Sequence, residues 1–176
     1  KFGNAIQLRW VSNPVTAPDT GLPAGTSPCT ISVWFQQTAE YIGQNGVFVS
    51  YGTQADGQYR AMTKNNASAY RAFHWAADMP PGTAASPAGP DVWHHVAFTF
   101  DKTANMQAVY LDGILIGTDA IADEVDVVLN GRVIIGDMDL GEEIFNGFLD
   151  DLRIYNRVLS AQEIAWLGGR IMPFDQ

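Results

Sequence analysis

The segment Thr30–Gln37 (TISVWFQQ) alternates with period two. Ile31, Val33 and Phe35 fall on one side, and Ser32, Trp34 and Gln36 on the other. That is the period of an extended strand, whose successive side chains point to opposite faces. Further strand-like runs lie at Ala5–Trp10, Gly46–Tyr51, Tyr59–Thr63, Tyr70–Ala76, Trp93–Phe100, Met106–Leu111, Ile114–Gly117 and Phe148–Tyr155. Between them the chain is rich in turn formers, with seventeen glycines and nine prolines among 176 residues. Many short strands separated by turns predict an all-β protein, a two-sheet antiparallel β-sandwich.

Local signals refine this order. Asp112-Gly113 fits a type I′ hairpin turn, which needs two residues tolerant of positive φ. Asn130-Gly131 gives the same signal and predicts a hairpin between Val125–Leu129 and Arg132–Ile135. Asn13–Pro28 and Met79–Asp91 are dense in Pro, Gly and small polar residues and are expected to be loops. Ser160-Ala161-Gln162-Glu163 forms a capping box that opens one short C-terminal helix, with Ile164 and Leu167 facing inward and Gly168-Gly169 ending it. Residues 1–169 therefore read as one domain and residues 170–176 as a tail or linker.

The chain is 47% apolar and 16% charged, a globular rather than disordered composition. Its net charge of −9 repels phosphate backbones and makes nucleic acid a poor partner. Excess carboxylates suit calcium, a hard cation that prefers oxygen ligands. The single cysteine, Cys29, allows no intrachain disulfide and is expected to pack as a buried thiol. No apolar run reaches the ~20 residues of a membrane span.

Three stretches carry a resemblance to a known family: TISVWF at Thr30–Phe35; WHHVAFTFD at Trp93–Asp101 with AVYLDGILIG at Ala108–Gly117; and GFLDDLRIYNRVLSAQEI at Gly147–Ile164. In that order they resemble the laminin-G domains and their pentraxin relatives, which are concanavalin A-like jelly rolls. The resemblance implies that fold, with Trp93 between the sheets. It also implies a protein that binds sugars, phosphorylated head groups or proteins.

Pentraxins gather calcium-binding oxygens from two loops. Ser50–Gly57 (SYGTQADG) resembles the first and places Asp56 at its acidic position. Ile134–Leu140 (IIGDMDL) resembles the second and offers Asp137, the Met138 carbonyl and Asp139, followed by Glu142 and Glu143. Calcium is thus the expected cofactor, held by Asp56, Asp137, Met138, Asp139 and Glu143. The loop before Phe145 is shorter than in pentraxins. Tyr59 with Gln58 and Arg60, and Glu142, are the expected ligand-facing residues.

Other constellations point away from catalysis and histidine–metal chemistry. His94 and His95 are adjacent on a strand, face opposite ways, and do not converge on one ion. Asp151 shares a face with Arg153, which predicts an ion pair, and Arg153 and Tyr155 lie opposite Leu152 and Ile154. A retaining glycosidase needs two carboxylates about 5–5.5 Å apart. In Asp123–Gly131 (DEVDVVLNG), Glu124 and Asp126 alternate correctly, but Val128 or Leu129 stands where a second glutamate would be needed. On Tyr70–Ala76 one face carries Arg71, Phe73 and Trp75 and the other Tyr70 and His74; one of the two is core.

These readings converge on a non-catalytic, secreted or cell-surface binding module for a glycan or a cell-surface or matrix protein, assisted by calcium. A structural or protein-interaction domain, and a relative of glycan hydrolases or lyases, are the alternatives.

Overall fold

A computed structural model describes residues 4–9, 14–65, 69–80, 84–85, 88–138 and 143–170. Twelve strands follow one another: β1 (Ile6–Leu8), β2 (Val15–Ala17), β3 (Cys29–Gln36), β4 (Gly46–Gly52), β5 (Tyr59–Asn65), β6 (Ala69–Phe73), β7 (Ala84–Ala85), β8 (His94–Asp101), β9 (Met106–Leu111), β10 (Ile114–Asp119), β11 (Val133–Ile135) and β12 (Gly147–Tyr155). One helix, α1 (Ala161–Leu167), comes last. The strands form two antiparallel six-stranded sheets, ordered β1-β12-β3-β8-β9-β10 and β2-β11-β4-β5-β6-β7. The predicted sandwich is therefore present.

The core lies between the sheets. The first sheet contributes Ile31, Val33, Phe35, Val96, Phe98, Phe100 and Val109; the second contributes Phe48, Val49, Tyr51, Met62, Tyr70 and Ala72. Phe35 is its hub, with ring centroids of Phe48, Tyr70, His94 and Phe145 at 5.0–6.3 Å. Cys29 is a free, buried thiol, and burial pushes its pKa up. Trp93 departs from expectation. It is only half-buried, just before β8, and is not among the residues of the core.

Two bulges set which residues face inward. In β4 the register shifts between Val47 and Val49. The extra residue turns Val47 to the outer face and leaves Phe48 and Val49 both in the core. In β12 the shift falls between Asp150 and Arg153, with Asp151 at φ 51. Leu149 faces inward before the bulge, and Leu152 and Ile154 pack on the core after it. Arg153 and Tyr155 then share the outer face, and Arg153 Nε donates to Asp151 Oδ1 at 2.7 Å, the expected ion pair.

The two hairpin signals end differently. Asp112 (φ 49) and Gly113 (φ 75) both take the left-handed conformation a type I′ turn demands. The Asp112 carboxylate then accepts from the His95 amide and hydrogen-bonds His94 Nδ1, each at 2.8 Å. At Asn130-Gly131 only the glycine has positive φ. Both amides donate instead to the buried Asp19 carboxylate, at 3.0 and 2.9 Å. Residues 125–129 form an isolated bridge, Gly25↔Val127, while β11 pairs with β4 and β2. A tertiary acceptor has overridden the local turn preference. The stretch expected to be a plain loop, 13–28, likewise contains β2, and 79–91 contains the two-residue β7.

The capping box is present: the Ser160 side chain accepts from the Glu163 amide and the Glu163 carboxylate accepts from the Ser160 amide. Ile164 seats α1 on the outer face of the first sheet beside Ala97 and Leu159. His94 and His95 face opposite ways as the strand period requires, His94 toward Phe35 and His95 against Trp34.

Burial holds two histidines neutral. Desolvation lowers His74 to about 3, helped by the Arg60 charge, and lowers His95 to about 4. An unfolded histidine titrates near 6.5. Below that value the unfolded chain binds more protons than the folded one, so stability falls with pH. Chemical denaturation at stepped pH is expected to show the unfolding free energy dropping steadily between about pH 6.5 and pH 4. His95→Gln flattens part of that slope; a slope unchanged by it contradicts the assignment.

Candidate functional site

The outer face of the second sheet carries a compact aromatic cluster beside two consecutive non-glycine residues of positive φ, Trp75 and Ala76. Alternation along β5 and β6 sends Tyr70, Ala72 and Met62 into the core. It leaves Tyr59, Ala61 and Phe73 outside, where they pack with Val47, Met138 and Trp75. The core face of the Tyr70–Ala76 segment is thus the one with Tyr70 and His74. Tyr59, Phe73 and Trp75 meet edge to face in a triangle, with centroids 5.9–6.2 Å apart and ring planes at 78–89°. That arrangement satisfies the ring quadrupoles.

Just past β6 the backbone is strained. Trp75 (φ 56) and Ala76 (φ 60) both lie in the left-handed region. For residues other than glycine this costs about 1–3 kcal/mol each and persists only where the surroundings enforce it. Three hydrogen bonds do so. The Gly57 amide donates to the carbonyls of His74 and Trp75 at 3.0 and 2.9 Å, and the His74 amide donates to Asp78 Oδ1 at 2.8 Å. Gly57 has no tolerated substitute: a Cβ there would sit 2.1 Å from the Glu124 carbonyl oxygen, at φ 71. The Asp56-Gly57 turn is therefore locked against Trp75. The indole is half-buried, and Asp56 and Ala76 beside it are exposed.

Polar groups border the cluster that Trp75 shares with Phe73, Tyr59 and Met138. Arg71 lies with its Cζ 5.2 Å from the Phe73 ring centre and its Nη1 3.6 Å from Asp78 Oδ2, while its Nε is buried with no partner. Gln54 Nε2 donates to the Met138 carbonyl at 2.5 Å, and the Tyr59 hydroxyl donates to the same oxygen at 3.3 Å. Ser50 Oγ donates to the Asp137 carbonyl at 2.7 Å. The two loops paired by the sequence resemblance are thus neighbours, stitched together through the backbone of Asp137 and Met138.

The individual residues fare differently. Asp56 is exposed beside Trp75. Asp137 is buried, and its Oδ1 accepts from the Met138 amide at 2.7 Å. The Met138 carbonyl already accepts from two donors, which occupies both lone pairs. Glu143 keeps Oε1 within 3.5 Å of Asn45 Nδ2, while its buried Oε2 has no partner. Asp139 and Glu142 lie outside the described residues. For calcium, which takes six to eight oxygens, the orphaned Glu143 oxygen fits and the Met138 carbonyl does not. Among the described residues no three His, Cys, Asp or Glu side chains gather closely enough to hold a metal ion.

Of the expected ligand-facing residues, Tyr59 is on the correct face but only 1% exposed beneath Phe73 and Trp75. Gln58 acts through its carbonyl, which accepts from the amides of Thr53 and Val128. Arg60 is a correction: it is fully buried between the sheets, stacked 4.3 Å from the Phe100 ring centre, with Nη1 3.2 Å from both Cys29 Sγ and the Tyr51 hydroxyl. Strand parity explains it, because Tyr59 outside forces Arg60 inside. Asp78 and Gln54 were not singled out from sequence. Their parts depend on tertiary contacts, and no spacing announces them. Glu124 and Asp126, both exposed, sit in irregular chain rather than on a strand face.

With this geometry in place, the comparisons fix the family. The chain belongs to the concanavalin A-like lectin/glucanases superfamily, whose laminin-G type matches residues 11–165. No curated protein matches it by sequence. Among solved structures, domain 4 of AbnA, an extracellular arabinanase of the GH43 class from Geobacillus stearothermophilus, in complex with arabinotriose, superposes with TM-score 0.74 at 20% identity over 96% of this chain and 78% of that one. The CBM40 of the Ruminococcus gnavus IT-sialidase, bound to α2,3-sialyllactose, gives 0.66 at 18% identity over 94% and 98%. The native heptameric SAP-like pentraxin from Limulus polyphemus gives 0.63 at 20% identity over 93% and 81%. At these identities the likeness is one of fold. No helix among the described residues is long and apolar enough to cross a membrane.

Proposed function

We propose that this domain is a non-catalytic module that binds carbohydrate at the rim formed by Trp75, Arg71, Asp78, Asp56 and Gln54. The observation that carries the reading is the indole of Trp75, held at the surface by a backbone conformation that costs energy and is enforced by Gly57 and Asp78. Strain of this kind concentrates where function requires a particular presentation. An indole offers an apolar face to the C–H side of a sugar ring. The carboxylates accept from hydroxyls and the guanidinium donates to them. The glycans in two of the solved relatives, arabinotriose and sialyllactose, support carbohydrate as the ligand class. Isothermal titration against an oligosaccharide panel tests it. Saturable binding to at least one glycan is expected, and none across the panel contradicts it.

The proposal extends to calcium and to an extracellular setting. The ion would be held by Glu143 with Asp139 and Glu142 of the acidic loop, because Asp56, Asp137 and Glu143 do not gather closely enough to hold one together. The unpartnered, buried Glu143 Oε2 supports this. At about 100 times its dissociation constant an ion stabilises by about 2.7 kcal/mol. For a domain of this size that is a Tm rise of about 5–10 °C. Melting in calcium against chelator is expected to show that rise, and Glu143→Gln to remove most of it; equal Tm values for the parent protein contradict the site. Secretion, alone or within a larger exported protein, fits the extracellular setting of that arabinanase.

A further inference from the structure

We infer that two copies of this chain pair through the open edge of β10, antiparallel about a twofold axis at Leu115. β10 ends the first sheet, and among the described residues no strand lies beyond it. The other three edge strands are short: β1 and β2 have three residues each and β7 two, whereas β10 has six. Shortness is one way to blunt an edge, and charged or proline residues are others. β10 (ILIGTD) has neither until Asp119 at its end. Its hairpin turn is two residues long, so the flanking pair Ile114 and Leu111 exchanges hydrogen bonds. The next pair, Leu115 and Tyr110, does not, and Leu115 therefore presents its amide and carbonyl to the open side. The strand then bulges between Leu115 and Gly117, which centres pairing on Leu115.

Apolar side chains gather at the same end. Ile114 is 51% exposed and Leu115 50%. The helix packs against the turn: a Cβ on Gly113 would lie 2.8 Å from the Ala165 Cα, which brings the exposed Trp166 to the patch. Large apolar side chains beside unpaired backbone make a docking edge. Charge selects a second copy as the occupant. Arg170 closes the turn end of β10, its Cδ 2.9 Å from that same Cβ position, and Asp119 closes the other end. In a hydrogen-bonded pair of Leu115 residues, Gly113 of one copy stands opposite Gly117 of the other. Asp119 is two residues further, about 7 Å along the strand. An arginine side chain spans that distance, so each Arg170 meets the Asp119 of the other copy, twice by symmetry. Parallel seating would bring the two Arg170 side chains together. The net charge of −9 on each copy opposes association and keeps it concentration-dependent.

The test is sedimentation velocity of the full chain from low to high micromolar concentration at about 0.15 M salt. A monomer–dimer equilibrium is expected. Leu115→Lys should weaken it at least about 30-fold, because the substitution enters the centre of the interface twice. Its melting temperature in dilute solution should match the parent's, since the side chain is half exposed. Trp166→Ala should weaken the dimer about tenfold. Asp119→Arg should weaken it about threefold to tenfold, even though it lowers the general repulsion between copies. Adding Arg170→Asp to that variant should restore it to within about threefold of the parent. A monomer at every concentration overturns the proposal, and so does a dimer indifferent to Leu115→Lys. A dimer that the charge exchange fails to restore overturns the antiparallel seating.

Discussion

Trp75→Ala is expected to weaken glycan binding by at least about 30-fold, the loss typical of a tryptophan at the centre of a contact. The indole is the one large apolar plane the strained turn offers. Its removal leaves the Asp56-Gly57 turn, Asp78 and Arg71 in place. Thermal stability should fall by about 1–3 kcal/mol, the worth of two edge-to-face pairs with Tyr59 and Phe73 at about 0.5–1.5 kcal/mol each. Titration calorimetry beside a melting curve separates the two effects. Trp166→Ala is the matched control: Trp166 is 64% exposed on α1, against the other sheet, and its loss should leave binding unchanged. Equal effects from the two substitutions would remove Trp75 from the site.

The largest stability effect is expected at the core hub. Phe35 is wholly buried and touches four rings contributed by both sheets and by the segment before β12. Phe35→Ala removes its transfer free energy and leaves a cavity that the surrounding aromatic rings cannot close, a cost of about 3–5 kcal/mol. Against a total of about 5–15 kcal/mol this is severe, and Tm should fall by roughly 10 °C or more. Denaturant unfolding checks it through a lower midpoint at unchanged slope. A loss under about 1 kcal/mol would mean that Phe35 does not bridge the two sheets.

The fold was legible because period-two segments such as TISVWF carry their own face assignment, and a two-sheet core needs little more. What escaped was decided by contacts distant in sequence. Asp19, 111 residues before Asn130, captures the amides that a hairpin at Asn130-Gly131 would have used. Two bulges, at Val47/Val49 and Asp150/Arg153, change strand parity without a glycine or proline to mark them. The candidate site was legible in part. The face shared by Arg71, Phe73 and Trp75, and the meeting of the loops around Asp56 and Asp137, follow from alternation and from resemblance. The exposure of Trp75 does not: it depends on Gly57 donating to two carbonyls across the sheet edge. Arg60 follows Tyr59 within one strand, so the two necessarily face opposite ways and only one of them can look outward.

The rim has consequences for how binding would be tuned. Since Trp75, Asp56 and Asp78 hang on one glycine and one carboxylate cap, a change at either end moves all three. This coupling also ties recognition to the acidic loop, because Gln54 joins that loop to the same turn through the Met138 carbonyl.

The most direct test of the central claim is a nitrogen–proton NMR titration with a bound oligosaccharide, following the indole resonances of the five tryptophans. The Trp75 indole and the amides of Asp56, Gly57 and Ala76 should move together and saturate with one dissociation constant, while the Trp166 indole stays still. Saturable shifts centred on α1 and β10, with Trp75 unmoved, would contradict the account.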